Sequence, residues 1–230
     1  MAKKQGITAA EWASCADPQP MLEALSGKVS ARKLRLFAVA CCRGLGPLLR
    51  DPRIITALDV AEQYADGAAT PADLEAALRG AALAQRAQRR KALLFAYAAV
   101  KDACGPGGLG AAEKVAWAEA AAADSRATYG EHLRRTRPDL YAASAVLLRD
   151  VLGNPFRPVA IIPSRKSSRG GLLVSMARKM YDSRDFGDMP VLADGLEEAG
   201  CQDQDILSHC RQPAEHVRGC WVADLLLGKE

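Results

Sequence analysis

The 230-residue chain predicts an all-α fold on three observations. Its composition is 49% apolar but only 5% aromatic, with alanine crowded between about 68 and 127, which favours helix over strand. Helix-start signals recur, each a Ser, Thr or Asp beside a proline or three residues before an acid. Apolar residues return at three- and four-residue spacing over most of the length.

Taken in order, Thr8 and Glu11 have capping-box spacing and open a short helix carrying Trp12. Asp17-Pro18 punctuates, and Met21, Leu22 and Leu25 form one side of a second short helix. From Ser30, a third helix carries the stripe Leu34, Ala38, Cys41, Leu45 and Leu48, with Phe37 and Cys42 beside it. Asp51-Pro52 starts a fourth, which ends at Gly67. Thr70 to Asp73 is a second capping box and launches an alanine-rich helix predicted to run to about Cys104. A partner over about 111–135 would complete a long central hairpin. Pro138 opens a helix through Leu152, closed by Gly153-Asn154-Pro155.

Residues 153–170, with three prolines, read as a Pro-rich loop with room for a short strand at 159–162. Helices follow over about 171–182, 189–199, 204–212 and 217–227. The expected architecture is an irregular multi-helix bundle of roughly eight to eleven helices. A single domain 1–230 is expected, divisible into sub-lobes 1–152 and 171–230 joined by 153–170.

The formal charge of +4 and pI near 8.7 describe a mildly basic surface. That is too little to require nucleic acid, whose dedicated binders concentrate positive charge in one patch. MAKKQGITAAEW has no apolar run behind its lysines, and no stretch has bilayer length, so a cytoplasmic protein without membrane contact is expected. Seven cysteines, two of them adjacent, do not form a disulfide framework in that setting.

Chemistry-bearing residues concentrate in HCRQPAEHVRGCW, 209–221. Pro213 ends one helix, and in the next His216, Cys220 and Asp224 would fall at i, i+4 and i+8 on one stripe, with Gly219 leaving space beside it. Cys201, His209, His216 and Cys220 could supply the four nitrogen and thiolate ligands of a zinc ion. Their C-x7-H-x6-H-x3-C spacing matches no standard finger. Cys220 as nucleophile, His216 as base and Asp224 as orienter form the catalytic alternative. The preferred expectation is core packing, with Ile206, Leu207 and Cys210 on one helix and Val217, Trp221 and Leu225 on the next.

Three further features have plain explanations. GPGGLG at 105–110 matches G-x-G-x-x-G but follows a helix, so it reads as a turn. The basic runs at 86–91 and 132–137 read as solvated helix faces, and Cys41-Cys42 as packing. Arg165, Lys166 and Arg169, in SRKSSR, are the candidate partner-binding residues, for an acidic protein surface or, less favoured, for nucleic acid.

Three segments, WASCADPQPMLEALSGKVSARKLRLFAVACCR, GNPFRPV and HCRQPAEHVRGCWVADLLLGKE, together resemble a bacterial protein family without an assigned activity. Its pattern runs EWLxCxDPxPML, RKLRLFAxACCR, GNPFRPV and HCRxxxxHVRGCWxxDLLLGKE. The resemblance covers the N-terminal third, the short middle motif and the C-terminal quarter. It draws attention to Trp12, Cys15, Cys41, Cys42, His209, Cys210, His216, Cys220 and Trp221.

With no paired carboxylates, P-loop or standard zinc pattern, the expected function is a protein-interaction or regulatory helical module without catalytic activity, needing no cofactor. The alternatives are a zinc-binding or Cys/His-dependent enzyme built on the tail cluster, and weak nucleic-acid binding through 164–169.

Overall fold

The structure, a computed structural model, describes residues 7–25, 27–89, 91–104, 114, 115, 118, 138–157, 159 and 168–229. Among the described residues it is all-α, with eleven α-helices, a 3-10 turn at Gly46–Leu48 and no strand. The helices are α1 (Ala9–Ser14), α2 (Pro18–Ala24), α3 (Ala31–Gly44), α4 (Pro52–Ala65), α5 (Pro71–Arg86) and α6 (Lys91–Cys104). There follow α7 (Pro138–Leu152), α8 (Ser168–Ser183), α9 (Met189–Glu198), α10 (Gln204–Arg211) and α11 (Trp221–Leu227). No described helix is long and apolar enough to cross a membrane.

The chain divides into two compact units. The first is Met1–Ile7 with Ser14–Ala145, and the second is Thr8–Ala13 with Val146–Glu230. The boundary falls inside α7 and not at 153–170, because the C-terminal half of that helix packs with the tail.

In the first unit, α3, α4, α5 and α6 pack on one another. Local sequence sets their starts. Ser30 Oγ accepts from Lys33 N at 3.3 Å, Asp51 Oδ1 accepts from Arg53 N at 2.9 Å, and Thr70 and Asp73 form the reciprocal capping box. Gly67, at φ +73°, follows the end of α4. Burial on α3 runs unbroken from Leu36 to Cys42, so the helix is enveloped and not striped. Packing against both α4 and α6 requires that. Arg43 ties α3 to α4, donating to buried Glu62 at 2.8 Å and to Asp59 at 2.8 Å.

The single helix expected from 71 to 104 is two, with a break at Ala87 to Arg89. RAQRRK offers no large apolar side chain to bury. The chain doubles back there, so α5 and α6 cover each other's apolar faces. Of the expected hairpin partner over 111–135, only Lys114, Val115 and Ala118 are described, all helical. The runs at 105–110 and 132–137 lie outside the described residues, as does 160–162 of the expected strand.

The second unit is built from α1, the end of α7, and α8 to α11. Its core is a cluster of sixteen buried residues, among them Met180, Tyr181, Met189, Leu192, Ile206 and Val222. Helix α8 packs on α9 and α11, and α10 on α9 and α11. Trp12 of α1, 1% exposed, donates its indole N–H to Gly153 O at 2.9 Å. Helix α8 starts at Ser168, inside the expected loop. Arg165 and Lys166 lie outside the described residues, and so does the side chain of Arg169.

Gly153 closes α7 at φ +64°, and a Cβ there would stand 3.1 Å from the Trp221 ring. Gly153→Ala is therefore expected to destabilise the protein by roughly 1–3 kcal/mol, from left-handed backbone strain plus overlap. The urea midpoint reads this, and an unchanged midpoint would contradict it.

Candidate metal centre

Three segments of the second unit deliver one polar cluster. Asp150 sits in the last turn of α7, His209 in the last turn of α10, and His216 and Cys220 in the non-helical segment between α10 and α11. That segment replaces the helix start expected at 217. Gln212 is extended, Pro213 cannot continue α10's hydrogen bonding, and Gly219 at φ +98° interrupts any helix across it. Helix α11 begins only at Trp221, with Cys220 as its N-cap. The i, i+4, i+8 stripe of His216, Cys220 and Asp224 therefore does not exist. His216 and Cys220 meet because the segment folds around Asp150.

Asp150 Oδ1 lies 2.6 Å from His216 Nδ1 and 3.1 Å from His209 Nε2. Its second oxygen, Oδ2, accepts the Val217 backbone N–H at 2.9 Å. Cys220 Sγ lies 3.3 Å from His209 Nε2 and 4.0 Å from His216 Nδ1. All four candidate ligand atoms fall within 4.8 Å of one another. The imidazoles meet edge to face, centroids 4.8 Å apart, and His209 packs on Trp221. The side chains of Asp150, His216 and His209 are 1%, 4% and 9% exposed, and Cys220 is fully buried.

Ile206, Leu207 and Cys210 are buried in the core cluster, as core packing predicts, while the polar atoms of His209, His216 and Cys220 stand close together beside them. Three of the four expected ligands converge: His209, His216 and Cys220. Cys201 is not among them; it stands before α10, half-buried against the core. Asp150 takes its place, a residue the sequence reading missed. The available signal was one carboxylate in the apolar run LYAASAVLLRDVL, just before GNPFRPV. Asp224 is buried in the first turn of α11 and is not part of the group.

The electrostatics suit a cation. Burial pushes the Asp150 carboxyl up, but hydrogen bonds and charge from His209 and His216 outweigh it, leaving the pKa below its ordinary value. Burial, then the Asp150 charge, pushes the Cys220 thiol well up, against the backbone amides of Ala223 and Val222. The buried Asp150 carboxylate calls for positive charge beside it, while the raised Cys220 thiol is a neutral neighbour that would give up its proton only to bind a cation. The arginines nearest in sequence are engaged elsewhere. Arg149 donates to Trp12 O, Arg211 pairs with Asp194 and Glu197, and Arg218 lies over Tyr181. His216 Nε2, the ring nitrogen turned away from Asp150 and Cys220, is buried with no hydrogen-bond partner among the described residues, and an ion held at Nδ1 would leave it so.

A catalytic triad needs the carboxylate on one imidazole nitrogen and the nucleophile on the other. Here each imidazole turns a single nitrogen toward both Asp150 and Cys220. Such a grouping could hold an ion at a common centre. With metal–ligand bonds of about 2.0–2.3 Å, tetrahedral ligand atoms stand about 3.3–3.6 Å apart. The separations of 2.6, 3.1, 3.3 and 4.0 Å, within an overall span of 4.8 Å, scatter on both sides of that range, so the side chains would shift to take up an ion. The far nitrogen of His209, Nδ1, lies 3.1 Å from the Gln212 side-chain amide, which can orient the ring as second-sphere groups do at metal sites.

Cys210, next in sequence to His209, faces the core, and burial foremost pushes its thiol up to about 12. A cavity of about 470 Å³ adjoins the cluster, lined by Trp12, Arg149, Gly153, Ser208, Gln212 and Trp221 among others. Of the four cluster residues only His209 lines it. No family model, curated protein or solved structure matches the chain.

Proposed function

We propose that this protein is a zinc-holding, non-catalytic helical module, its ion bound by Asp150, His209, His216 and Cys220. The observation that carries this reading is that Asp150 and Cys220 share the same nitrogen of each histidine, His209 Nε2 and His216 Nδ1. One carboxylate and one thiolate cancel the charge of a divalent ion, so the loaded site is neutral where burial penalises net charge. A monovalent or trivalent ion would leave a buried charge. Mixed thiolate, imidazole and carboxylate donors favour zinc over magnesium or calcium.

Four protein ligands complete a tetrahedron and leave no position for a substrate, as in structural zinc sites. Of the four, only His209 lines the adjoining cavity. With no reacting position at the ion, the chain acts by binding, as a helical interaction or regulatory module for another protein.

Metal analysis of the purified, zinc-reconstituted chain tests this. The wild type is expected to hold about one zinc per chain, and His216→Ala and Cys220→Ser to hold almost none. Cys201→Ser, outside the cluster, is expected to keep its zinc. A wild type that retains no metal, or a His216→Ala chain that retains as much, would overturn the proposal.

A further inference from the structure

We infer that the ion is a removable clasp on the segment 212–220, fixing one wall of the adjoining cavity, and that the second unit folds without it. This rests on the zinc-site reading above. Three observations carry it.

First, the core of the second unit owes little to the cluster. Of its sixteen buried residues only Cys220 belongs to the metal group. The packing of α8 on α9 and α11, and of α9 on α10, is apolar and separate from the ligands. Zinc fingers unfold without metal because they have no such core. Without an ion, Asp150 still has two imidazoles and the Val217 N–H within reach, so its charge is not stranded.

Second, the segment itself has little regular structure. It has no helical ladder between Gln212 and Cys220. Its ties include Val217 N to Asp150, the Cys220 N to Val217 O turn, and Arg218 over Tyr181. An ion would join it at His216 and Cys220, and fasten both to Asp150 on α7 and His209 on α10. Gln212, Pro213 and Glu215 are exposed while Gly219 and Cys220 are buried, so the exposed first half is the part free to open, and an ion held at its far end would favour the closed form by mass action.

Third, the segment is a wall of the cavity. Gln212 and Ala214 line it, as does Trp221, the residue after Cys220. Gln212 also contacts His209 Nδ1. Loading the site therefore fixes the cavity's shape, and unloading it frees that wall. Zinc level would thereby regulate what the cavity can hold.

Limited trypsin digestion of the full chain, with far-UV circular dichroism alongside, tests this. Arg211 and Arg218 place cleavable bonds at the start and inside of the segment. Where cleavage follows the open population, free zinc at about 100 times its Kd is expected to slow it about 100-fold relative to chelated protein. Helical ellipticity should be unchanged, and cleavage after Arg86 in the first unit gives the internal reference. His216→Ala should be cut at the fast rate whatever the zinc concentration. Cooperative loss of helix on chelation would overturn the clasp while leaving the zinc site standing. So would unchanged cleavage in a chain shown by titration to bind zinc. A chain that binds no zinc would overturn both.

Discussion

Replacing Asp150 with alanine is expected to abolish zinc retention and to destabilise the protein by roughly 3–5 kcal/mol, the scale seen when one partner is removed from a buried charged set. Asp150 meets both imidazoles and accepts the Val217 backbone N–H. Its loss leaves the Val217 amide without its acceptor and two buried rings without their anion. Asp150→Asn keeps the shape and one acceptor but not the charge. It is expected to lose zinc with a smaller loss of stability, since the amide oxygen can still receive the Val217 N–H. Urea unfolding at fixed free zinc, followed by circular dichroism, separates the two variants. Equal midpoints for Asp150→Ala and the wild type would show that the carboxylate holds nothing together.

Trp12→Ala is expected to cost about 3–5 kcal/mol, as for other large buried side chains cut to alanine. The ring is 1% exposed, meets Phe156 edge-on at 6.1 Å, and donates to Gly153 O. Arg149 returns a bond to Trp12 O at 3.3 Å. Trp12 therefore fastens the end of α7, the turn that carries Asp150. Trp12→Phe retains most of the packing and loses only the indole donor, about 0.5–1.5 kcal/mol. Both variants are expected to weaken zinc binding in the order alanine, then phenylalanine, by competitive titration with a chromogenic chelator. An affinity equal to wild type in Trp12→Ala would uncouple α1 from the site.

How much of this was legible in the sequence follows the range of the interactions. Caps were legible: Thr8 with Glu11, Asp51 with Pro52, and Thr70 with Asp73 all form as the spacing predicts, because each involves residues within three positions. Gly67 and Gly153 end their helices for the same local reason. The division into α5 and α6 was not legible from periodicity, since alanine sustains helical spacing through a turn set by tertiary packing. The late start of α11 was not legible because His216 and Cys220 at i, i+4 fit a helix as well as they fit a loop folded around a carboxylate. Gly219 suits the space beside a helix equally well, yet at φ +98° it ends the non-helical approach to one. At the site, the histidines and Cys220 were found by type alone. Asp150 was missed because nothing local marks a carboxylate on α7 as the partner of residues on the tail.

Cobalt substitution offers the most direct test of coordination by Asp150, His209, His216 and Cys220. The cobalt(II) form is expected to show the intense visible bands of four-coordinate cobalt and a near-ultraviolet sulfur-to-cobalt charge-transfer band, the latter lost in Cys220→Ser. The weak bands of octahedral cobalt, or a charge-transfer band that survives Cys220→Ser, would contradict it.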